Sequence, residues 1–140
     1  MKIATIADRA VLVIDGTVVD IATASGDRFG PDPLAVYEQW DAFAEWAAGV
    51  GPGTVPLDEA ALGCPIPNPR QVFAIGQNYR SHAEESGMAV PEVPATFTKF
   101  PASLAGPFDD IEITEPMVDW EVELVAVIGK SGRYIRKEDA

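Results

Sequence analysis

The stretch Val118–Lys130 reads VDWEVELVAVIGK, and its period of two decides how the second half of the chain folds on paper. Successive side chains of a strand point to opposite faces, so Trp120, Val122, Leu124, Ala126 and Ile128 share one side. Asp119, Glu121, Glu123, Val125 and Val127 share the other. The pattern predicts a strand over 118–128. Two carboxylates at i and i+2 have backbones about 7 Å apart, and at an effective dielectric near 20 they repel by roughly 2 kcal/mol. A solvated edge face would screen that repulsion. Val125 and Val127, however, continue the acidic face as apolar, which predicts burial on both sides. Buried carboxylates need a partner or a metal. Carboxylate oxygens suit Mg²⁺, Mn²⁺ or Ca²⁺, and a chain with one cysteine and one histidine offers no zinc cluster.

Composition bounds the rest. The 140 residues are 47% hydrophobic and 23% charged, the balance of a chain that folds around a core. Ten Lys plus Arg against 22 Asp plus Glu give a formal charge of −12, which repels phosphate backbones and anionic lipid. Neither nucleic acid nor a membrane is an expected partner. Cys64 has no second cysteine for an internal disulfide. The opening MKIATIADRAVLVIDG carries Asp8, Arg9 and Asp15 where a signal peptide needs an unbroken apolar run, so a cytoplasmic location is expected.

Earlier in the chain the organisation changes near residue 50. Lys2–Ile6 and Arg9–Ile14 are β-prone runs, and Asp15-Gly16 is a hairpin turn signal. Asp32-Pro33 opens a segment with Val36, Trp40, Phe43, Ala44 and Ala47 at helical spacing that stops at Gly49, which predicts one amphipathic helix. Residues 1–50 therefore form an amino-terminal β unit plus helix, 51–70 a Pro/Gly-rich linker, and 71–140 a second region. That region begins with the strand QVFAIGQNY. A short polar helical turn follows, then a long loop punctuated by Gly87, Pro91 and Pro94. His82 and Glu85 lie three residues apart in the turn, on one face if it is helical. A carboxylate beside an imidazole fixes its tautomer and raises its basicity, so such a pair can activate water; an exposed loop histidine is the plainer alternative.

Three motifs in order, AIGQNYRSHAEE, FTKFPASLAGPFDDIEI and VDWEVELVAVIGK, resemble the fumarylacetoacetate hydrolase family over roughly the second half of the chain. The resemblance implies an α+β fold, a mixed β-sandwich roll that is incomplete at the carboxy terminus, with residues 1–50 as an accessory region. It carries the family's E-x-E metal ligands onto Glu121 and Glu123, with Mg²⁺ or Mn²⁺ as cofactor, and a cation there would offset the clustered charge. It places the H-x-x-E dyad of a substrate-covering lid on His82 and Glu85, and an oxo-acid-binding lysine on Lys99.

The implied chemistry is metal-assisted cleavage of C–C bonds in small 2-oxo or 1,3-dioxo acids, such as the acylpyruvates of aromatic catabolism. The ion would stabilise an enolate and His82 with Glu85 would activate water. Related members decarboxylate, hydrate or isomerise similar acids, so fold and motif specify the substrate class better than the reaction. A homodimer is implied for a full-length member. The family's third ligand, an aspartate about thirty residues beyond E-x-E, has no counterpart here; Asp139 falls instead in the segment resembling the start of the next helix. The chain is thus expected to be the front part of a longer enzyme, with a noncatalytic truncated member as the alternative.

Overall fold

The turns set the first sheet. In the computed structural model, which describes Met1–Ala140 throughout, strand β1 (Lys2–Ile6) meets β2 (Arg9–Ile14) through Ala7 and Asp8, both left-handed at φ 49° and 59°. Asp15 and Gly16, at φ 49° and 75°, carry β2 into β3 (Thr17–Asp20). Two consecutive positive φ angles make the mirror-image turn whose twist matches paired strands. The resulting registers are antiparallel, Ile6 opposite Arg9 and Ile14 opposite Thr17. Strand β4 (Val55–Pro56) completes the order β1-β2-β3-β4. Its proline lacks an N–H and takes an edge position, where none is needed. The Pro/Gly-rich stretch expected as a linker is therefore partly built into the sheet. Leu62 also bridges to Ile6, and Gly63 N–H donates to the Thr5 carbonyl at 2.8 Å.

Helices cover this sheet. Asp20 ends β3 and caps α1 (Ile21–Ser25) by accepting from Thr23 N–H at 2.8 Å, and Gly26 closes it at φ 62°. Asp32 caps α2 (Pro33–Glu38) with Pro33 at its first position, as the sequence predicts. The single predicted helix is instead two: Gln39, at φ −124° and ψ 37°, separates α2 from α3 (Trp40–Ala47). Across that break Tyr37 and Trp40 stack with centroids 5.8 Å apart and planes 4° from parallel. The core beneath consists of Ala10, Leu12, Ile21, Phe29, Val36, Phe43 and Ala47. Phe29 and Phe43 meet edge to face at 5.5 Å. Burying each large side chain is worth about 1.5–3 kcal/mol.

The chain divides into two compact units, Met1–Ile66 with Gly106–Ala140, and Pro67–Ala105. In the second, β5 (Val72–Gly76) pairs antiparallel with β6 (Ala95–Lys99), Val72 opposite Lys99 and Gly76 opposite Ala95. Helix α4 (Arg80–Glu85) lies in the connection, with Ala83 fully buried. Both sheets are antiparallel throughout.

The strand predicted over 118–128 does not form. These residues run without a ladder partner, and both expected faces are open to solvent: Trp120 is 79% exposed, Leu124 87% and Val125 79%. A strand exists only through the hydrogen bonds of a neighbour, and none of the six strands present pairs with it.

Candidate active site

His82 and Glu85 are positioned by one short helix. Tyr79 precedes α4 without a side-chain cap, and the helix ends where Gly87 turns left-handed at φ 64°, letting Gly87 N–H reach the Glu84 carbonyl at 3.1 Å and Met88 N–H the Ala83 carbonyl at 2.9 Å. This is a glycine-terminated helix end that satisfies otherwise orphaned carbonyls. The two side chains are three positions apart on α4, the arrangement the sequence predicts, and both residues are solvent-exposed.

Lys99 ends β6. In a pleated pair it shares a face with Phe97 and Ala95 and lies opposite Val72, and its side chain stands in water. Gln77, which the sequence does not single out, leaves β5 in the left-handed region at φ 53°, and its amide donates to Met88 Sδ at 2.7 Å. That bond ties the two ends of the α4 turn together. No motif signals it, because a left-handed glutamine is set by its surroundings and not by its type.

Glu121 and Glu123 belong to the other compact unit, in the extended stretch after Gly106. Both are exposed, and nearby Asp119 accepts from the following N–H of Trp120 at 2.8 Å. Their oxygens are the right donors for a hard divalent cation. The number of donors is short: nowhere do three His, Cys, Asp or Glu side chains converge to hold an ion. Two carboxylates leave most of an octahedral shell to water, so these residues by themselves are a partial fit to Mg²⁺ or Mn²⁺.

Comparison with known proteins gives this arrangement a context. The model of the fumarylacetoacetate hydrolase carboxy-terminal domain matches residues 71–140. The mitochondrial oxaloacetate tautomerase FAHD2A of Bos taurus is 41% identical over 88 residues, 61% of this chain and 28% of that protein. A fumarylacetoacetate hydrolase domain-containing protein 2 homologue of Dictyostelium discoideum is 29% identical over 136 residues, 91% of this chain and 44% of its own length. Among solved structures, a protein of Mycobacterium smegmatis provisionally called HpcE shares 46% identity at a TM-score of 0.71, covering 81% of this chain and 40% of that one. Maleylpyruvate hydrolase from Sphingobium sp. SYK-6, solved with manganese and pyruvate, is 25% identical at a TM-score of 0.57, covering 81% of this chain and 42% of that one. The chain thus spans less than half the length of each of these relatives.

Proposed function

We propose that this chain, which belongs to the fumarylacetoacetate hydrolase family, contributes the front of an active site that processes small 2-oxo or 1,3-dioxo acids. One observation carries the reading: the family model matches 71–140, the segment that holds His82, Glu85, Lys99, Glu121 and Glu123, onto which the resemblance carries the family's dyad, lysine and E-x-E pair. A relative acting on oxaloacetate and a neighbour acting on maleylpyruvate support the substrate class. In this reading residues 1–50 are an accessory region, 51–70 connect it, and 71–140 form the front of a catalytic domain of the β-sandwich-roll type. Full-length copies associate as homodimers.

Each side chain has a role that its chemistry permits. His82 takes a proton from water or from the substrate carbon, with Glu85 holding the imidazole in the basic tautomer. The Lys99 ammonium binds the substrate carboxylate. Glu121 and Glu123 supply two oxygen donors toward a divalent cation, Mn²⁺ being the ion in the maleylpyruvate hydrolase structure. When bound, such an ion polarises substrate oxygens as a Lewis acid. Because the donor set is partial, metal binding by the 140 residues alone is expected to be weak and turnover low.

The test is Mn²⁺ binding by calorimetry, together with assays of oxaloacetate tautomerisation and decarboxylation and of acylpyruvate hydrolysis. Weak binding that disappears in Glu121→Gln/Glu123→Gln supports the site. Binding that the double substitution leaves unchanged overturns it and favours a noncatalytic family fragment.

A further inference from the structure

Glu121 and Glu123 sit in a stretch with no strand partner, so something else must fix where it runs. Every residue from Pro107 to Ile128 is exposed; Gly129 is the first one partly covered. What covers it is the start of α3. A Cβ built on Gly129 would lie 3.2 Å from Trp40 Cγ and 3.3 Å from Trp40 Cβ, closer than side chains normally tolerate. Val127, Gly129 and Lys130 also line a hollow of about 320 Å³ with Tyr37 and Trp40. Lys130 Nζ stands 3.4 Å from Asp41 Oδ2, with both side chains well exposed. An open ion pair of that kind contributes little, so the steric contact governs.

Trp40 cannot readily yield. Its ring stacks on Tyr37 at 5.8 Å and packs at 5.9 Å against Phe43, which is fully buried. Close-packed aromatic rows resist displacement. We propose that the α2–α3 helix pair is the seat of the acidic segment, with glycine favoured at 129 because a Cβ there would crowd the Trp40 side chain. Trp40 and Gly129 are thereby positioning residues for Glu121 and Glu123, eight and six residues upstream of the seat, a role that rests on the metal-site reading above. The accessory region is then not a passive appendage: it anchors the carboxylate-bearing stretch of the catalytic half.

The experiment is a double-mutant cycle on the full 140-residue chain, read by ¹⁵N-relaxation order parameters at 125–131 with β2 as the internal control. Gly129→Ala should lower the order parameter at 125–131 from about 0.8 to below about 0.6 while β2 is unchanged, and should lower it clearly less in a Trp40→Ala background, which removes Cγ and the ring and leaves only the Cβ beside the new methyl. Trp40→Phe, which keeps Cβ and Cγ, should preserve wild-type order at 125–131. If Trp40→Ala itself loosens β2, Tyr37→Leu, which frees the indole to swing aside, supplies the second background, and Gly129→Ala should again lose most of its effect. Additive effects of Gly129→Ala in every background overturn the seat. Mn²⁺ affinity measured on the same variants separates the two readings. A several-fold weaker Kd in Gly129→Ala, rescued in the double variant, supports positioning, and an unchanged Kd despite lowered order at 125–131 overturns that role. Insensitivity of Mn²⁺ binding to Glu121→Gln/Glu123→Gln overturns the metal site and leaves the order-parameter cycle to judge the seat.

Discussion

Arg9 and Asp20 meet in a two-pronged ion pair, Nε to Oδ2 at 2.7 Å and Nη2 to Oδ1 at 2.8 Å, and the same carboxylate caps α1. One side chain thus joins the first hairpin, the third strand and the first helix. The hydrogen bond from Arg9 is the main reason the Asp20 carboxyl is held well below the usual carboxylate range; partial burial opposes it, and the Thr23 N–H adds to it. A depressed folded-state pKa means that Asp20 stabilises the fold above its unfolded value, near 4. That contribution is lost as pH falls from there through the folded value. Asp20→Ala should cost about 1 kcal/mol for the cap alone. Asp20→Asn, which can still cap, should cost less than Ala and should flatten the acid limb of stability against pH. Urea melts between pH 2 and 7 would check both.

Ala7 carries a different kind of strain. It is left-handed at φ 49° in a two-residue turn, a conformation that costs an L-residue with a Cβ roughly 1–2 kcal/mol. Ala7→Gly should therefore raise stability, by up to about 1 kcal/mol after the added freedom of the unfolded chain is subtracted. A rise in Tm with unchanged circular dichroism would confirm it; a fall would show that the turn is not strained.

Gly53 is constrained by space. A Cβ there would run into the Val18 carbonyl, and Gly53 N–H already donates to Thr17 Oγ1 at 2.9 Å. Gly53→Ala should destabilise by about 1–3 kcal/mol, as overpacking does. It should do so by loosening β4 from β3, visible as faster exchange at Val18 and Val55. Uniformly unchanged exchange would contradict the close approach.

Phe43 tests the core. It is fully buried against Phe29, Trp40 and Trp46, and Phe43→Ala should cost about 3–5 kcal/mol. Val122→Thr/Leu124→Thr, on the exposed stretch, should shift unfolding by less than about 0.5 kcal/mol. The same pair should reduce dye binding and self-association, because exposed apolar clusters drive both. Comparable losses at the two places would mean that the 118–128 stretch is packed after all.

The sequence determined what depends on neighbouring residues. Asp15-Gly16 specifies a mirror-image turn because few other pairs reach positive φ twice, and Asp32-Pro33 starts a helix because its carboxylate and ring suit the first turn. The family is legible in the same way, through the spacing of His82, Glu85, Lys99, Glu121 and Glu123. Tertiary structure decided what depends on partners far along the chain. The alternation at 118–128 is a real strand pattern, but alternation supplies only side-chain faces, and pairing requires backbone donors and acceptors from another strand. The break at Gln39, the incorporation of Val55–Pro56 as an edge strand and the approach of Trp40 to Gly129 are likewise invisible locally. Each is fixed by close contact between surfaces, and only packing brings those surfaces together.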